Sequence, residues 1–579
     1  MPPGYAKQLF TIDDSPGSQM RPARRSAPNR KAVKHVMNQM NQITIPLEDL
    51  FAPGTAPDAR NADPIAIGIQ VARRYPFLSQ PISVGIVGHR VRLSYPAASD
   101  RAQAEAACLA KRAAQHAGNG ECHRAIDMWQ RVLQLVPDNL VARRDIGMAY
   151  SELGNFTQAR KYLAEALLLD FEDAGSLVAL ANIAIKQEDY GTAEVYAKKA
   201  VAAGPQDAWA LNCLGTVLLY TQRQDEALSL LRAAMASDPG LAPSYWAIAY
   251  LYRHQGRYSE AEATLRELFI RVRKPDIRYE PIFIQARQLY RQVQESIAES
   301  LHPEVSRTVE EFRVAVEMHA GRPIRVVEES SSDGPVARVQ LAWQHGRDHH
   351  LIHCHSGYPA KLMPHLLAHA IMHVRMGHDA HQAGRCRFYS LSPADRMAAL
   401  EAFENQLERL VDEGFPLPWI ADCVGRLVAN LFGALFNYPL DLVVEKKLQE
   451  QLPALAPVQF LALTTPLLKE EEEDDYELIS RLTPRRFLRA YVALRGVQLL
   501  AIDSLCSGAT DHAARFRNRD GFDLATQLWK HWQSRAFALQ AGDEYDLVDE
   551  FADIVGLRGN YTWLPDPHFN SSPPSPATA

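Results

Sequence analysis

Three histidines, His365, His369 and His373, stand four residues apart in residues 364–373. The stretch is apolar between them and has neither glycine nor an internal proline, which predicts a helix. A helix stacks i and i+4 side chains on one face, so the three imidazoles line up. Two imidazoles one turn apart are the arrangement through which a helix grips zinc. Half of the twenty histidines fall between His345 and His381. Alternation in the strand-like run 350–355 puts His353 and His355 on one face, in reach of that helix. For these two, and for His349 and His350, a solvated or core-satisfied role is expected. Downstream, Asp441 and Glu445 share a helix face one turn apart, with Pro439 expected to start that helix. Other chemistries lack their signatures. There is no Walker loop, since Gly85-Ile86-Val87-Gly88 is too short, and no GxSxG elbow. Cys354 between two histidines is adjacency in sequence, not a dyad. The acidic segment 543–553 has no central glycine for a calcium loop and is expected to pack by Leu547, Phe551 and Ile554.

The elements around the histidines read in a definite order. Strand-like runs at 336–343 and 350–355 precede the histidine helix, and long amphipathic helices near 391–413 and 419–450 follow it. That order resembles the zincin-like metallopeptidases, whose helix carries HExxH with the glutamate as general base. The corresponding stretch here is His369-Ala370-Ile371-Met372-His373. The resemblance implies an α+β domain over 303–565 and zinc as cofactor. It implies His369, His373 and Glu445 as metal ligands, with Asp441 and His365 orienting them. The base position falls on Ala370, whose methyl group accepts no proton. A general base contributes about a hundred- to ten-thousand-fold in rate. The expectation is a catalytically impaired domain without a catalytic residue of its own. A zinc peptidase drawing its base from elsewhere is the alternative, and histidines that bind no metal are a third reading.

The first half of the chain carries a different pattern. Ala125, Ala159, Ala193, Ala227 and Ala261 are each 34 residues apart. Pro137, Phe171, Pro205 and Pro239 keep the same beat, as do the small residues Ala113, Gly147, Ala181, Gly215 and Ala249. A fixed period of this length marks stacked helical pairs that bury their apolar faces only against neighbours. The segment resembles the tetratricopeptide repeat family, as five repeats over 106–273, with a capping or linker helix at 274–302. The overall expectation is a mainly α chain: an α-solenoid followed by the α+β domain. The family's groove positions fall on Arg144, Met148, Asn182, Lys186, Trp209, Asn212, Tyr220, Trp246, Tyr250 and Arg253. These are aromatic, amide and cationic types that anchor peptides. The resemblance implies a protein or peptide partner in the groove. The lysine-and-arginine clamp for a C-terminal carboxylate is not evident.

Composition narrows the function classes. A net charge of −6 argues against a general nucleic-acid or membrane-surface binder. Seven scattered cysteines without a CxxC pair fit a reducing, cytoplasmic setting. The longest apolar stretch, 419–436, is interrupted by Asp422, Arg426 and Asn430, and is expected to be a buried helix. Residues 1–65 are expected to form a disordered basic arm, with seven Lys or Arg and two Asp in the first forty. Residues 66–105 are expected to be a small strand-containing linker, alternating over 82–95. The acidic run 470–475 is expected to be an exposed loop or helix start. Residues 566–579 are expected to be an unstructured tail.

Overall fold

The computed structural model describes residues 40–51, 55–57, 63–272, 280–330, 336–472 and 476–565. Expectations for residues before 40 and for the tail from 566 lie outside these. The chain divides into two compact units, Met1–Leu251 with Lys274–Ile284, and Tyr252–Arg273 with Gln285–Ala579.

The first unit begins with an antiparallel sheet of β1 (Met40–Pro46), β2 (Ser83–Val87) and β3 (Arg90–Pro96), in the order β1-β3-β2. Gly88, at φ +61°, makes the tight turn between β2 and β3 in a region that favours glycine. Val91 and Leu93 on β3 are fully buried against Ile67 and Val71 of helix α1 (Pro64–Arg74). This corrects two expectations. β1 lies within the segment expected to be disordered, and 66–105 forms part of a packed core instead of a linker. Ile43 and Ile45 supply too short an alternation to stand out, and their partner strand is some fifty residues further on.

Ten helices follow in the chain, α2 (Asp100–Gly118), α3 (Cys122–Leu135), α4 (Leu140–Glu152), α5 (Phe156–Leu169), α6 (Ala174–Lys186), α7 (Tyr190–Ala203), α8 (Ala208–Tyr220), α9 (Gln224–Ser237), α10 (Ala242–His254) and α11 (Tyr258–Arg271); the first eight pack as four hairpins, and α11 belongs to the second unit. All five register alanines are 0% exposed. The second small register shows its reason directly. A Cβ on Gly147 would come 2.6 Å from Leu163 Cγ, and one on Gly215 would come 2.8 Å from Leu231 Cγ. Paired helices approach too closely there for any side chain. Asn139, Asp173 and Asp207, again 34 apart, cap α4, α6 and α8 by accepting from the backbone N–H three residues on, each at 2.8 Å.

Helix α12 (Glu280–Ala320), which belongs to the second unit from Gln285 on, runs unbroken past Pro303. The expected boundary at 302/303 therefore falls inside a helix. Buried Val305, Val309, Phe312 and Val316 continue the packed face beyond the proline and outweigh its missing hydrogen bond. A three-stranded sheet follows: β4 (Ile324–Glu329), β5 (Ala337–Gln340) and β6 (His350–His355), in the order β4-β6-β5, with β4 parallel and β5 antiparallel to β6. Helix α13 (Met363–Gln382) packs on β5, and a Cβ on Gly377 would come 2.7 Å from Leu341. The helix expected over 391–413 is two short ones, α14 (Pro393–Glu401) and α15 (Glu404–Asp412).

Helix α16 (Leu417–Gln451) passes through Pro439, which was expected to start a helix. Buried Phe432 and Leu435 before it, and Val443 and Val444 after it, hold both halves in the core. By length and composition α16 is the one helix among the described residues able to cross a membrane, and half of its apolar window is buried in the protein. Then come α17 (Ala456–Glu472), α18 (Tyr476–Leu482), α19 (Arg485–Leu505), α20 (Phe522–Arg535) and α21 (Asp543–Val555). The acidic run closes α17 as far as Glu472, and residues 473–475 lie outside the described set. Strands β7 (Arg387–Ser390) and β8 (Thr562–Pro565) pair antiparallel. Leu547 and Phe551 of α21 are fully buried.

Candidate functional site

Helix α13 packs against α16 and α17, and this places five titratable side chains together. His365 Nε2 lies 3.0 and 3.1 Å from the two Glu445 oxygens. His369 Nδ1 donates to Glu445 Oε1 at 2.8 Å, and its Nε2 is 3.4 Å from Asp441 Oδ1. His373 Nε2 is 3.1 Å from His369 Nε2 and 3.7 Å from Asp441 Oδ1. Two overlapping triads result: His365, His369 and Glu445, and His369, His373 and Asp441. In each, one donor atom per residue lies within 4.8 Å of the others.

The five residues expected from sequence are thus brought together, in a different grouping. Glu445 goes with His365 and His369, while His373 goes with Asp441. One partner was missed. Gln459 on α17 donates to Glu445 Oε2 at 2.6 Å and to the Glu445 carbonyl at 3.0 Å, fixing the carboxylate. A lone glutamine fourteen residues downstream carries no pattern that could announce it.

Ion pairing within the cluster opposes the effects of burial on its titrating groups. Burial alone would lower the His369 pKa, but hydrogen bonds and charges from Asp441 and Glu445 push it up to about 10. Burial opposes the charge on Glu445, yet His365 and His369 hold its carboxyl below the usual range. Asp441 is held low in the same way by His369 and His373, against its burial. Burial, with the charge on His369, lowers His373 despite Asp441. Imidazole nitrogens and carboxylate oxygens at this spacing fit zinc or a similar divalent ion. Ala370 on the same helix is 1% exposed, its methyl packed in the core. His353 lies 2.5 Å from Glu329 on β4, and His355 Nδ1 accepts from the Gly357 N–H.

The repeats offer a different surface. On the first helices of two pairs, Met148 of α4 is 47% exposed, and Trp209 and Tyr220 of α8 are each 43% exposed. Tyr220 stacks on Tyr190 at 5.3 Å, and Trp246 stacks on Tyr250 at 5.2 Å. Two family models, both described as tetratricopeptide repeat, match here, one over 116–182 and 218–280, the other over 178–242. Residues 116–280 are tetratricopeptide repeats.

Solved structures similar to the tetratricopeptide segment include MamA, at 22% identity over 27% of this chain and 91% of that one, TM-score 0.23. TTC0263, a thermophilic tetratricopeptide protein of Thermus thermophilus, matches at 18% identity over 32% and 98%, TM-score 0.29. YrrB, described as having an unusual peptide-binding site, matches at 22% over 31% and 90%, TM-score 0.23.

The other expected groove residues of the tetratricopeptide segment divide into groups. Arg144 is tied to Asp173 at 3.0 Å and lies across Gly175, where a Cβ would come 2.8 Å from its Cδ. Lys186 pairs with Glu152 at 3.2 Å, and Asn182 Oδ1 accepts from Cys213 Sγ at 3.6 Å. Asn212 departs from expectation. It is buried, and its Oδ1 accepts from Ser244 Oγ at 2.9 Å, so it joins helices instead of offering an amide. Arg253 falls in the second unit and is half-buried.

Proposed function

We propose that the chain is a protein-interaction scaffold whose tetratricopeptide segment docks a peptide or partner segment. One observation carries this reading: Met148 on α4 and the aromatic side chains Trp209 and Tyr220 on α8 stay exposed on first helices of the repeats. Aromatic anchors of this kind concentrate binding energy at interfaces. Peptides selected by phage display on the full-length protein should lose binding to a Trp209→Ala, Tyr220→Ala variant of unchanged helicity. Undiminished binding would overturn the reading.

The histidine and carboxylate cluster favours a second role. We propose that it holds one divalent ion, zinc by its donor types, in one of the two triads. When bound, such an ion supplies Lewis acidity. The protein's own groups fix its ligands: Gln459 orients Glu445, and Asp441 and Glu445 set the ring orientation of His369. Ala370 supplies no base, so the reading is a zincin-like domain that binds a polypeptide without cutting it. The seven cysteines are all free thiols, which suits a cytoplasmic protein.

A further inference from the structure

A cleft of about 220 Å3 opens in the second unit, walled by α16, α19 and the C-terminal half of α20. Three aromatic rings line it, Trp529 and Trp532 of α20 and Phe537 just beyond that helix. They run from the core to solvent: Trp532 is 5% exposed, Trp529 is half-buried and Phe537 is 86% exposed. Space remains beside them because Ala501, Ser504 and Ala536 contribute only small side chains to the lining.

These rings are not spent on one another. Elsewhere in this unit aromatic side chains close in pairs, as Tyr389 does with Phe436 and with Tyr561, each at 4.9 Å. Among the described residues, Trp529, Trp532 and Phe537 form no such pair with each other. The one charged side chain of the lining, Lys446, has both of its roles filled. Its Nζ lies 4.2 Å over the Phe537 ring and 2.5 Å from Glu450 Oε1.

That arrangement sorts the classes of occupant. A cationic ligand would seek the aromatic faces, but the Lys446 ammonium already sits on one of them and repels a second cation. An anion finds Lys446 matched by Glu450. An aliphatic group fills the volume and leaves the ring faces unused. A neutral aromatic ring fills it and also gains offset or edge-to-face contact with the tryptophans and Phe537. Apolar cavities of about 150 Å3 take up benzene, so this cleft has room for one or two fused rings. We infer that the cleft binds a small neutral aromatic molecule of one or two fused rings. The Gln449 and Gln533 amides on the lining serve to accept from a ring N–H. The rival occupant is the exposed Phe537 of a second copy of the chain.

Fluorine NMR of 5-fluoroindole titrated with the full-length protein tests this, with indole, choline and cyclohexanol as competitors. The variants are Trp529→Ala, Phe537→Ala and Ala536→Leu. The probe should bind saturably at about one site per chain. Indole should displace it at concentrations at least tenfold lower than choline or cyclohexanol. Trp529→Ala should weaken the probe tenfold or more, and Ala536→Leu should block it by filling the space. Should either of these fail to fold, Phe537→Ala decides, since so exposed a ring is not needed for folding, and it should weaken the probe about threefold or more. The proposal is overturned if wild type shows no saturable binding, if choline or cyclohexanol competes as well as indole, or if the folded variants bind as wild type. It is also overturned if sedimentation shows a dimer that Phe537→Ala dissociates and the probe binds only to that variant.

Discussion

His369 Nδ1 lies 2.8 Å from Glu445 Oε1, joining two helices across 76 residues of chain. Because Asp441 approaches the other ring nitrogen, His369 is common to both possible ligand sets. The cluster therefore has one residue whose loss no regrouping can compensate. Asp441 and Glu445, one in each triad, report which set is used.

Zinc-loaded wild type should retain about one ion per chain by elemental analysis, and His369→Ala none. Of Asp441→Asn and Glu445→Gln, the one that loses the ion names the triad. If Glu445 is the one, Gln459→Ala should weaken affinity about 10–100-fold in chelator competition, as loss of a ligand-orienting partner does. A His369→Ala protein that binds zinc like wild type would remove the centre.

Close helix approach makes a stability prediction. Gly147→Ala and Gly215→Ala each drive a methyl into a leucine, and each should cost about 1–3 kcal/mol in urea unfolding. Gly425→Ala, on a helix with nothing within 4 Å, should be neutral or stabilise by up to about 1 kcal/mol. Equal effects at all three positions would contradict the packing account.

Burial pushes the Glu544 carboxyl up to about 7, although the Gly542 N–H donates to it. Unfolded, the group titrates at its ordinary value of 4.5. Below that pH both states hold the proton and no penalty exists. Between 4.5 and 7 only the folded state keeps it, so stability falls as pH rises, by at most roughly 3 kcal/mol. Glu544→Gln should remove this component, making the variant progressively more stable than wild type from pH 5 to pH 8. Parallel urea midpoints across that range would contradict it.

How far the sequence announced this depends on whether a feature is local. The 34-residue beat was readable because small residues at fixed places are a steric demand of each helix pair, as Gly147 against Leu163 shows. The histidine face was readable for the same reason, since i, i+4 spacing sets side-chain direction within one helix. What escaped depended on partners distant in sequence. Strand β1 becomes a strand through its pairing with β3, and Gln459 matters only because α17 lies against α16. Pro439 misled because it was read as a helix start, while packing on both sides carries the helix through it. Asn212 was assigned to the groove by family position, but Ser244 on the next first helix engages it.

The central claim is that the exposed aromatic side chains of the first helices, Trp209 and Tyr220, dock a peptide. The measurement is calorimetric affinity of one display-selected peptide for wild type, Trp209→Ala, Tyr220→Ala and Phe171→Ala. Phe171 serves as control, being 74% exposed in the turn between two repeats. The account predicts tenfold or greater weakening at Trp209 and Tyr220 and none at Phe171. Equal affinity for all four proteins would contradict it.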